Sequence, residues 1–271
     1  MSIITISRGS YSYGKEIAEK SAMALNYDCI SREVLLEASE QFHVPEIKLV
    51  HAVHDSPTIL DRFTHGKERY ITYIRAALLK HLQQDNIVYH GFAGHFFLSG
   101  ISHVLKVRVI ADLEKRIQIV MKRDHVHEEQ ALRILKKDDE ERRKWSLYLY
   151  GMDPTDARLY DFVFHIDKLT VEDAVDMIVS AVRQPAFQKT DASQKRMDEL
   201  TNAAIINAEL IDQFPTSHVT MEDGKVTVDV KCQIDESQIV RKDIETIIER
   251  TGLEIQSLQV NIVPYIMDVK F

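Results

Sequence analysis

The sequence is short of the residues that mark several classes of protein. It has only two cysteines, Cys29 and Cys232, which are too few for a disulfide framework or a four-cysteine zinc site. Lysine and arginine number 34 against 42 aspartate and glutamate residues, so the formal charge is -8. Proteins that hold nucleic acid through bulk charge need a basic face, and this balance therefore argues against nucleic acid as a partner.

Long apolar runs are missing as well. No window approaches the roughly 20 apolar residues that span a bilayer, and the N-terminal MSIITISRGS lacks a signal-peptide core. We therefore expect no membrane contact and a cytoplasmic location. Two histidine pairs, His90 with His95 and His125 with His127, have no third zinc-type ligand spaced nearby, so we expect no metal site there.

The first 185 residues contain alternating strand and helix patterns. A β-branched run at 3–6 breaks into a glycine-flanked loop and then into a helix-like stretch that starts at Lys15. Further strand candidates lie at 86–90, 104–111 and 162–166, with helical stretches between them. This alternation predicts an α/β fold with a parallel sheet covered by helices in domain 1–185.

The rest of the chain predicts a second, smaller domain. Hydrophobic periodicity is lost over 186–199, which predicts a linker, and 200–271 then resemble a compact α+β unit. The expected order is α-β-β-α-β, with a first helix over 197–212 and a hairpin turn at Asp223-Gly224. Its polar residues are spread over alternating faces, so we expect dimerisation or ligand sensing from it rather than catalysis.

Residues 9–15, called loop 9–15 below, fit the pattern G-x-x-x-x-G-K. They are Gly9, Ser10, Tyr11, Ser12, Tyr13, Gly14 and Lys15. In this pattern backbone N–H groups and the lysine surround phosphate oxygens at a helix N-terminus. The loop lies between the first strand and the first helix, where that mechanism requires it. The alternative is a strand-to-helix turn with only a structural role.

Glu16 follows the loop at a position where Ser or Thr usually helps to hold Mg²⁺. A carboxylate beside a polyphosphate would repel it. We therefore expect Glu16 to point away from the phosphates or to meet the metal, with nucleotide oxygens, water and other carboxylates holding the ion.

The run ISRGSYSYGKEIAEKSAMALNY resembles the start of the cytidylate-kinase-like family of P-loop nucleoside monophosphate kinases. The likeness continues through 30–35, 88–91, 139–142 and 160–161 and covers about 1–185. It implies a three-layer P-loop kinase fold that uses ATP and Mg²⁺. It also implies phosphoryl transfer to a nucleoside monophosphate (CMP or dCMP) or a similar small acceptor. Glutamate after the basic residue is normal in that family, so the resemblance places Glu16 in the nucleotide site.

Arginines are the expected tools of phosphoryl transfer, because cations must surround the transferring group. The resemblance implies Arg142 as a lid arginine that acts with Lys15, and Arg116 and Arg123 as arginines that face the nucleotide. The candidates on the acceptor side are Arg32, Arg62, Arg75 and Gly91. For each arginine the alternative is a solvated or ion-paired residue on a helix surface.

Two departures from the family keep a second interpretation open. Related kinases often carry Gly-Arg after the strand predicted at 86–90, where this chain has Gly91-Phe92. The segments TMEDGKVTVDVKC and LEIQSLQVNIV resemble a BON-type binding domain, which a plain kinase does not need. The alternative is a nucleotide-responsive sensor that binds phosphate without turnover, with possible homo-oligomers through the C-terminal domain. A purely structural protein would leave loop 9–15 unexplained.

Overall fold

The structure is a computed structural model that describes residues 2–31, 33–46, 48–49, 66–91 and 94–264. Strands and helices alternate along the first two thirds of the chain, which confirms the predicted α/β fold. The elements there are β1 (Ile3–Arg8), α1 (Gly14–Leu25), β2 (Asp28–Ile30), α2 (Glu33–Gln41), α3 (Gly66–Leu82), β3 (Ile87–Tyr89), α4 (Gly94–Phe97), β4 (Val104–Ala111), α5 (Leu113–Asp124), α6 (Glu128–Tyr150), β5 (Phe162–Ile166) and α7 (Val171–Val182).

The first five strands form one parallel sheet in the order β2-β3-β1-β4-β5. β1 lies at its centre and pairs with β4 from Ile3↔Val104 to Arg8↔Val109. Because the strands run in the same direction, their carboxyl ends meet at one edge, which is where α/β sheets bind ligands. The strands predicted at 104–111 and 162–166 match β4 and β5 in both bounds. The three-residue β2 was not predicted, since it is too short to show a period.

Helices cover both faces of this sheet and produce three layers. Side chains alternate along β1, so that Ile3 packs into one core while Ile4 and Ile6 pack into the other. The helices α2 and α3 cover the first face, and α1 and α7 cover the second. None of the helices in the described part of the chain is long and apolar enough to cross a membrane.

The C-terminal residues form the predicted α-β-β-α-β order. The elements are α8 (Asp191–Leu210), β6 (His218–Glu222), β7 (Lys225–Cys232), α9 (Ser237–Arg250) and β8 (Ser257–Pro264). β6 and β7 form an antiparallel hairpin, and β8 runs parallel to β7. The turn residues Asp223 and Gly224 have φ of 48° and 73°, as expected when both central residues of a two-residue hairpin turn are left-handed.

The prediction of a linker over 186–199 is wrong for most of that stretch. α8 begins at Asp191, before the expected start at 197, and Thr190 and Ser193 form a capping box at its N-terminus. The first turn of α8 is mostly polar, so it shows little apolar periodicity even though it is helical. The division into domains 1–185 and 200–271 remains a prediction.

α8 belongs to two hydrophobic cores at once. One set of side chains packs with α3 beneath the parallel sheet, and a second set packs against the C-terminal sheet. The first set contains Met197, Ala204 and Ala208, and the second contains Ala203, Ile206 and Leu210. The C-terminal unit is therefore attached to the rest of the chain through packed surface as well as through the backbone.

A chain of buried polar side chains ties the start of α8 to the parallel sheet. The His103 ring places Nδ1 2.8 Å from Ser193 Oγ and Nε2 3.3 Å from Asp85 Oδ1. The Lys189 ammonium lies 2.8 Å from the other Asp85 oxygen. Burial alone would raise the pKa of Asp85, but hydrogen bonds from His103 and Lys189 lower it overall. No motif predicts this connection, because its members come from separate parts of the sequence.

The packing of α8 on α3 generates a stability prediction. Met197 is fully buried between the two helices, so Met197→Ala should lower the unfolding free energy by roughly 2 to 5 kcal/mol. Met177 on α7 is 43% exposed, and Met177→Ala should change it by less than about 0.5 kcal/mol. Urea unfolding of the two full-length variants measures this difference. Equal effects would contradict the docking of α8.

Candidate active site

Loop 9–15 connects β1 to α1 at the carboxyl edge of the parallel sheet. The Gly9 N–H donates to the Val109 carbonyl at 3.1 Å. The buried Ser12 hydroxyl lies 2.8 Å from the same carbonyl and 2.9 Å from the Gly9 carbonyl. The end of β4 thus fixes both the beginning and the middle of the loop.

The second half of loop 9–15 has an unusual backbone. Tyr11 and Tyr13 have φ of 59° and 67°, in the left-handed region that few residues other than glycine adopt. At Gly14, a Cβ atom would lie 2.8 Å from Arg8 Cβ and 2.9 Å from Arg8 Cδ. The Arg8 side chain therefore passes directly over Gly14, and only glycine leaves room for it.

An open cleft of about 1760 Å³ lies over loop 9–15. It is larger than one small ligand requires, so it has room for two molecules side by side. Six carboxylates belong to its lining, namely Glu16, Glu19, Asp138, Asp139, Glu140 and Glu141, and the cations outnumber them. The cations of the lining come from β1, loop 9–15, β4, α5 and α6. They are Arg8, Lys15, Arg108, Arg116, Arg123, Lys136, Lys137, Arg142 and Arg143. A cleft with this lining favours a polyanionic ligand.

Arg116 and Asp139 lie directly on loop 9–15. Arg116 Nε donates to the Ser10 carbonyl at 2.6 Å, and Arg116 Nη2 donates to Asp139 Oδ2 at 2.6 Å. The other carboxylate oxygen of Asp139 accepts the Ser10 N–H at 3.3 Å. An anionic side chain of the protein therefore already binds an N–H group of the loop. A phosphate oxygen has the same hydrogen-bonding requirement and can take that place.

Arg142 reaches the same region from α6. Its Nη1 donates to the Arg8 carbonyl at 2.9 Å. Burial lowers the pKa of the Arg142 guanidinium, and it also lowers the pKa of Arg8, with the charge of Arg142 as a second cause. Two half-buried guanidinium groups close to each other form a place where an anion would be stabilised. Neither Arg8 nor Asp139 was predicted from the sequence as a site residue.

Arg123 is more exposed than Arg116 and Arg142. It forms two hydrogen bonds with Asp124, at 2.6 and 2.7 Å, and its guanidinium lies 4.3 Å from the centre of the Tyr11 ring. The hydrogen bonds to Asp124 raise the pKa of Arg123. Arg123 thus lines the cleft as a member of an ion pair, which was the alternative considered for it.

Lys15 and Glu16 begin α1 at the mouth of the cleft. The Lys15 side chain is 65% exposed, and its ammonium lies 3.6 Å from a carboxylate oxygen of Glu19. Glu16 pairs with Lys20 at 2.8 Å along the surface of α1. Its carboxylate is therefore held by a cation one turn further along the helix, while Glu16 also belongs to the lining of the cleft.

The structure describes only part of the predicted acceptor side. Arg32 and Arg62 lie outside the described residues. Arg75 on α3 is largely buried close to Tyr150, and its Nε has no hydrogen-bond partner among the described residues. Burial lowers the pKa of Arg75. Among the described residues it does not belong to the lining of the cleft, although its neighbour Ile74 does.

Gly91 follows β3 and lines the cleft, as predicted for a residue at the carboxyl end of a strand. A Cβ atom at this position would lie 2.2 Å from the Tyr89 hydroxyl. Because the Tyr89 ring covers the backbone so closely, glycine is required here for packing. Phe92, which replaces the arginine of related kinases, lies outside the described residues.

Two buried histidines near the end of β3 also line the cleft. His90 is 6% exposed, and its Nδ1 has no hydrogen-bond partner among the described residues. His95 Nε2 lies 3.2 Å from the Tyr160 hydroxyl. Burial lowers the pKa of His90 to about 4 and that of His95 to about 3. Both rings are therefore neutral at pH 7.

An aromatic group forms the wall of the cleft beside these histidines. Phe96 and Tyr150 are stacked with ring centres 4.4 Å apart, and Trp145 lies 5.6 Å from Tyr150. Trp145 is 1% exposed and belongs to the core that packs under α2 and α3. Across the described ranges, no group of three or more His, Cys, Asp or Glu residues could hold a metal ion.

The parallel sheet and the loop after its central strand define the architecture of P-loop kinases. Residues 3–168, more than half of the chain, match the cytidylate kinase-like family. The chain belongs to this family. The family match ends before α8, so it covers the cleft and leaves the C-terminal unit outside.

Comparisons with individual proteins agree with this assignment. The cytidylate kinase of Sulfolobus acidocaldarius is 29% identical over 100 residues, which are 36% of this chain and 54% of that protein. The cytidylate kinase of Methanopyrus kandleri is 29% identical over 117 residues, covering 40% and 60%. The matched part of the chain thus spans little more than half the length of these relatives.

A solved structure supports the fold alone. An uncharacterised protein from Eubacterium ventriosum superposes with a TM-score of 0.50 at 22% identity, covering 67% of this chain and 98% of that chain. The matches give no support to the expected resemblance of 200–271 to a BON-type domain. The α-β-β-α-β order of those residues rests on the structure itself.

The buried histidines generate a prediction about acid stability. The pKa of His95 in the folded chain, about 3, lies below the ordinary value near 6.5, so protonation favours unfolding. The stability that depends on neutral His95 is complete above about pH 6.5 and decreases as the pH falls toward 3. Between pH 6 and 4 the unfolding free energy of the wild type should fall more steeply than that of His95→Gln. The difference should reach about 1.4 kcal/mol per pH unit.

Urea unfolding at several pH values measures these slopes. His165→Gln is the matched control, because the His165 ring is half exposed and already lies 2.8 Å from Asp112. It should follow the wild type in slope. Parallel curves for His95→Gln and the wild type would contradict a neutral buried His95.

Proposed function

We propose that the protein is a kinase that transfers the terminal phosphoryl group of ATP to a small acceptor. The proposed acceptor is a nucleoside monophosphate such as CMP or dCMP. The observation that carries the proposal is the set of contacts on loop 9–15, where Ser10, Arg116 and Asp139 form a site in which a carboxylate takes the place expected of a phosphate. Membership of the cytidylate kinase-like family supports the same reaction class.

On the donor side, the N–H groups of loop 9–15 and the Lys15 ammonium would hold the phosphates of ATP. Arg116 and Arg142 would stabilise the charge that develops on the transferring group, which is the main task of the protein in this chemistry. Asp139 would have to leave the Ser10 N–H, because a carboxylate and a phosphate repel each other. Its departure would also free Arg116 Nη2 for a phosphate oxygen.

On the acceptor side, an aromatic side chain and a neutral histidine line the cleft. Phe96 offers apolar area for a base, and the neutral His90 offers a hydrogen-bonding nitrogen. Arg32 and Arg62 are the candidates from the sequence for contact with the acceptor phosphate, and Arg75 would have to turn toward the cleft to join them. An anion close to Arg75 would offset the cost of burying its charge.

The described carboxylates of the cleft form no group that could hold a metal ion alone, so the proposed Mg²⁺ would be held mainly by the nucleotide, with single carboxylates of the cleft as additional ligands. Asp138, Asp139, Glu140 and Glu141 belong to the lining of the cleft, and carboxylate oxygens are ligands that Mg²⁺ prefers. Because Glu16 is paired with Lys20, nucleotide oxygens and water would supply the remaining ligands. When bound, the ion would neutralise phosphate charge. A cytoplasmic location and self-association through the C-terminal unit are further proposals that rest on the sequence.

A nucleotide-responsive sensor with little or no turnover is the second candidate. The observation in its favour is α8, which packs on α3 beside the cleft and on the C-terminal sheet. A change in the cleft would then have a packed route to the C-terminal unit. The absence of the family's Gly-Arg after β3 favours the same alternative.

Replacement of the loop lysine tests the kinase proposal. Lys15→Ala should abolish ADP formation from ATP·Mg²⁺ across a panel of nucleoside and deoxynucleoside monophosphates, because it removes the cation that contacts the phosphates. The side chain is mostly exposed, so thermal unfolding should stay close to that of the wild type. Lys20→Ala, on the same helix, is the control and should retain activity.

The panel separates the two candidates. ADP formation that depends on one acceptor and is lost in Lys15→Ala supports the kinase and identifies the acceptor. Thermal stabilisation by ATP without ADP formation favours the sensor. Unchanged activity in a folded Lys15→Ala variant contradicts the kinase proposal.

A further inference from the structure

Helix α3 lies between the cleft and the C-terminal unit. Ile71 and Ile74 on one side of α3 line the cleft. Arg69 and Tyr73 on another side contact Asp212, which follows the end of α8. A helix is a rigid element, so contacts that fix the side of α3 facing Asp212 also fix the side of α3 that lines the cleft.

Arg69, Tyr73 and Asp212 form a closed hydrogen-bonded group. The Tyr73 hydroxyl donates to Asp212 Oδ1, and Arg69 Nη2 donates to Asp212 Oδ2 at 2.8 Å. Arg69 Nε donates to the Tyr73 hydroxyl at 3.0 Å. Burial raises the pKa of Tyr73 to about 12, and the bond to Asp212 contributes, so the hydroxyl keeps its proton. Bonds to a charged partner of this kind are stronger than neutral ones.

Tyr73 passes this contact on to α2. Its ring stacks on Phe42 with centres 4.3 Å apart and an angle of 13° between the rings. Phe42 directly follows α2, whose side chains Val34 and Leu35 line the cleft. Asp212, which lies outside the family-matched region, therefore contacts Tyr73. Tyr73 in turn connects α3 with the end of α2.

The other end of α3 has its own contacts with α8. Gln83 Nε2, just past the helix, donates to Asp198 Oδ1 at 3.0 Å, and Thr201 Oγ1 lies 3.5 Å from the Leu79 carbonyl. These contacts are far along α3 from Ile71, which lines the cleft. Asp198 is thus a matched control for Asp212: the same side-chain type, on the same helix pair, at the opposite end.

We propose that Asp212 is a positioning residue through which the C-terminal unit sets the acceptor half of the cleft. Through Tyr73 and Phe42 it holds α3 and α2 at the separation that an acceptor requires. The ATP half depends instead on loop 9–15, β4 and the α5–α6 pair. The identification of an acceptor half rests on the kinase proposal, whereas the mechanical connection does not.

The kinetic test uses full-length Asp212→Asn and Tyr73→Phe, which keep side-chain size, with Asp198→Asn as the control. Asp212→Asn removes the charge that accepts hydrogen bonds from Tyr73 and Arg69. Tyr73→Phe removes the hydroxyl that bonds to Asp212 and Arg69, and it retains the stack on Phe42. The KM for the acceptor should rise about fivefold, which corresponds to about 1 kcal/mol. The KM for ATP and kcat should stay unchanged, and Asp198→Asn should leave all three at wild-type values. Equal changes in both KM values, or the same change in Asp198→Asn, would overturn the proposal.

A second measurement keeps the test independent of turnover. Hydrogen exchange of the same proteins without ligand should show faster exchange in α2 for Asp212→Asn, with loop 9–15 and α1 unchanged. Unaltered protection of α2 would overturn the role of Asp212 even if the kinase is active. If the wild type forms no ADP but α2 loses protection, the kinase proposal fails while the positioning role of Asp212 stands.

Discussion

Hydrogen bonds between the end of β4 and loop 9–15 hold the candidate site together. The Val109 carbonyl accepts the Gly9 N–H and lies within hydrogen-bonding distance of the Ser12 hydroxyl. This carbonyl has a defined position because β1 and β4 pair in register along their whole shared length. A slip of one residue would turn every β1 side chain to the opposite face of the sheet, so the two cores and the loop are fixed by the same pairing.

The charges around the loop follow from that geometry. Arg8 and Arg142 are half-buried near each other, and their lowered pKa values reflect the cost of placing cations in a partly desolvated cleft. Asp139 offsets part of this cost for Arg116. A phosphate would offset more of it, because it carries more charge and more acceptor oxygens than a carboxylate. The packing of α5 and α6 against loop 9–15 thus brings cationic groups to the place where the proposed phosphates would bind.

α8 extends this dependence to the C-terminal residues. Its buried side chains complete the core beneath the parallel sheet, and Asp85, His103 and Ser193 anchor its first turn. The two sheets therefore share helix α8 as part of their cores, which differs from two domains joined by a flexible tether. Removal of the C-terminal unit would expose apolar side chains of α3.

Local patterns explain which features could be predicted from the sequence. The strands β4 and β5, the Asp223-Gly224 turn and loop 9–15 depend on residues close together in the chain, and all were located correctly. Contacts between distant residues left no such pattern. Asp139 is 129 residues from Ser10. The polar start of α8 resembled a linker because the residue that anchors it, His103, is distant in the sequence. The capping box at Thr190 is a local pattern from which the start of α8 could have been predicted. The contact of Tyr73 with Asp212 joins distant residues and leaves no such pattern.

The exchange of Asp139 for a phosphate on loop 9–15 is the central claim about the site. The most direct test follows the Ser10 amide of the ¹⁵N-labelled full-length protein by NMR during titration with ATP. We expect a saturable shift of the Ser10 resonance together with those of the other loop amides. ATP binding that leaves the Ser10 amide unchanged would contradict it, because the nucleotide would then bind somewhere other than loop 9–15.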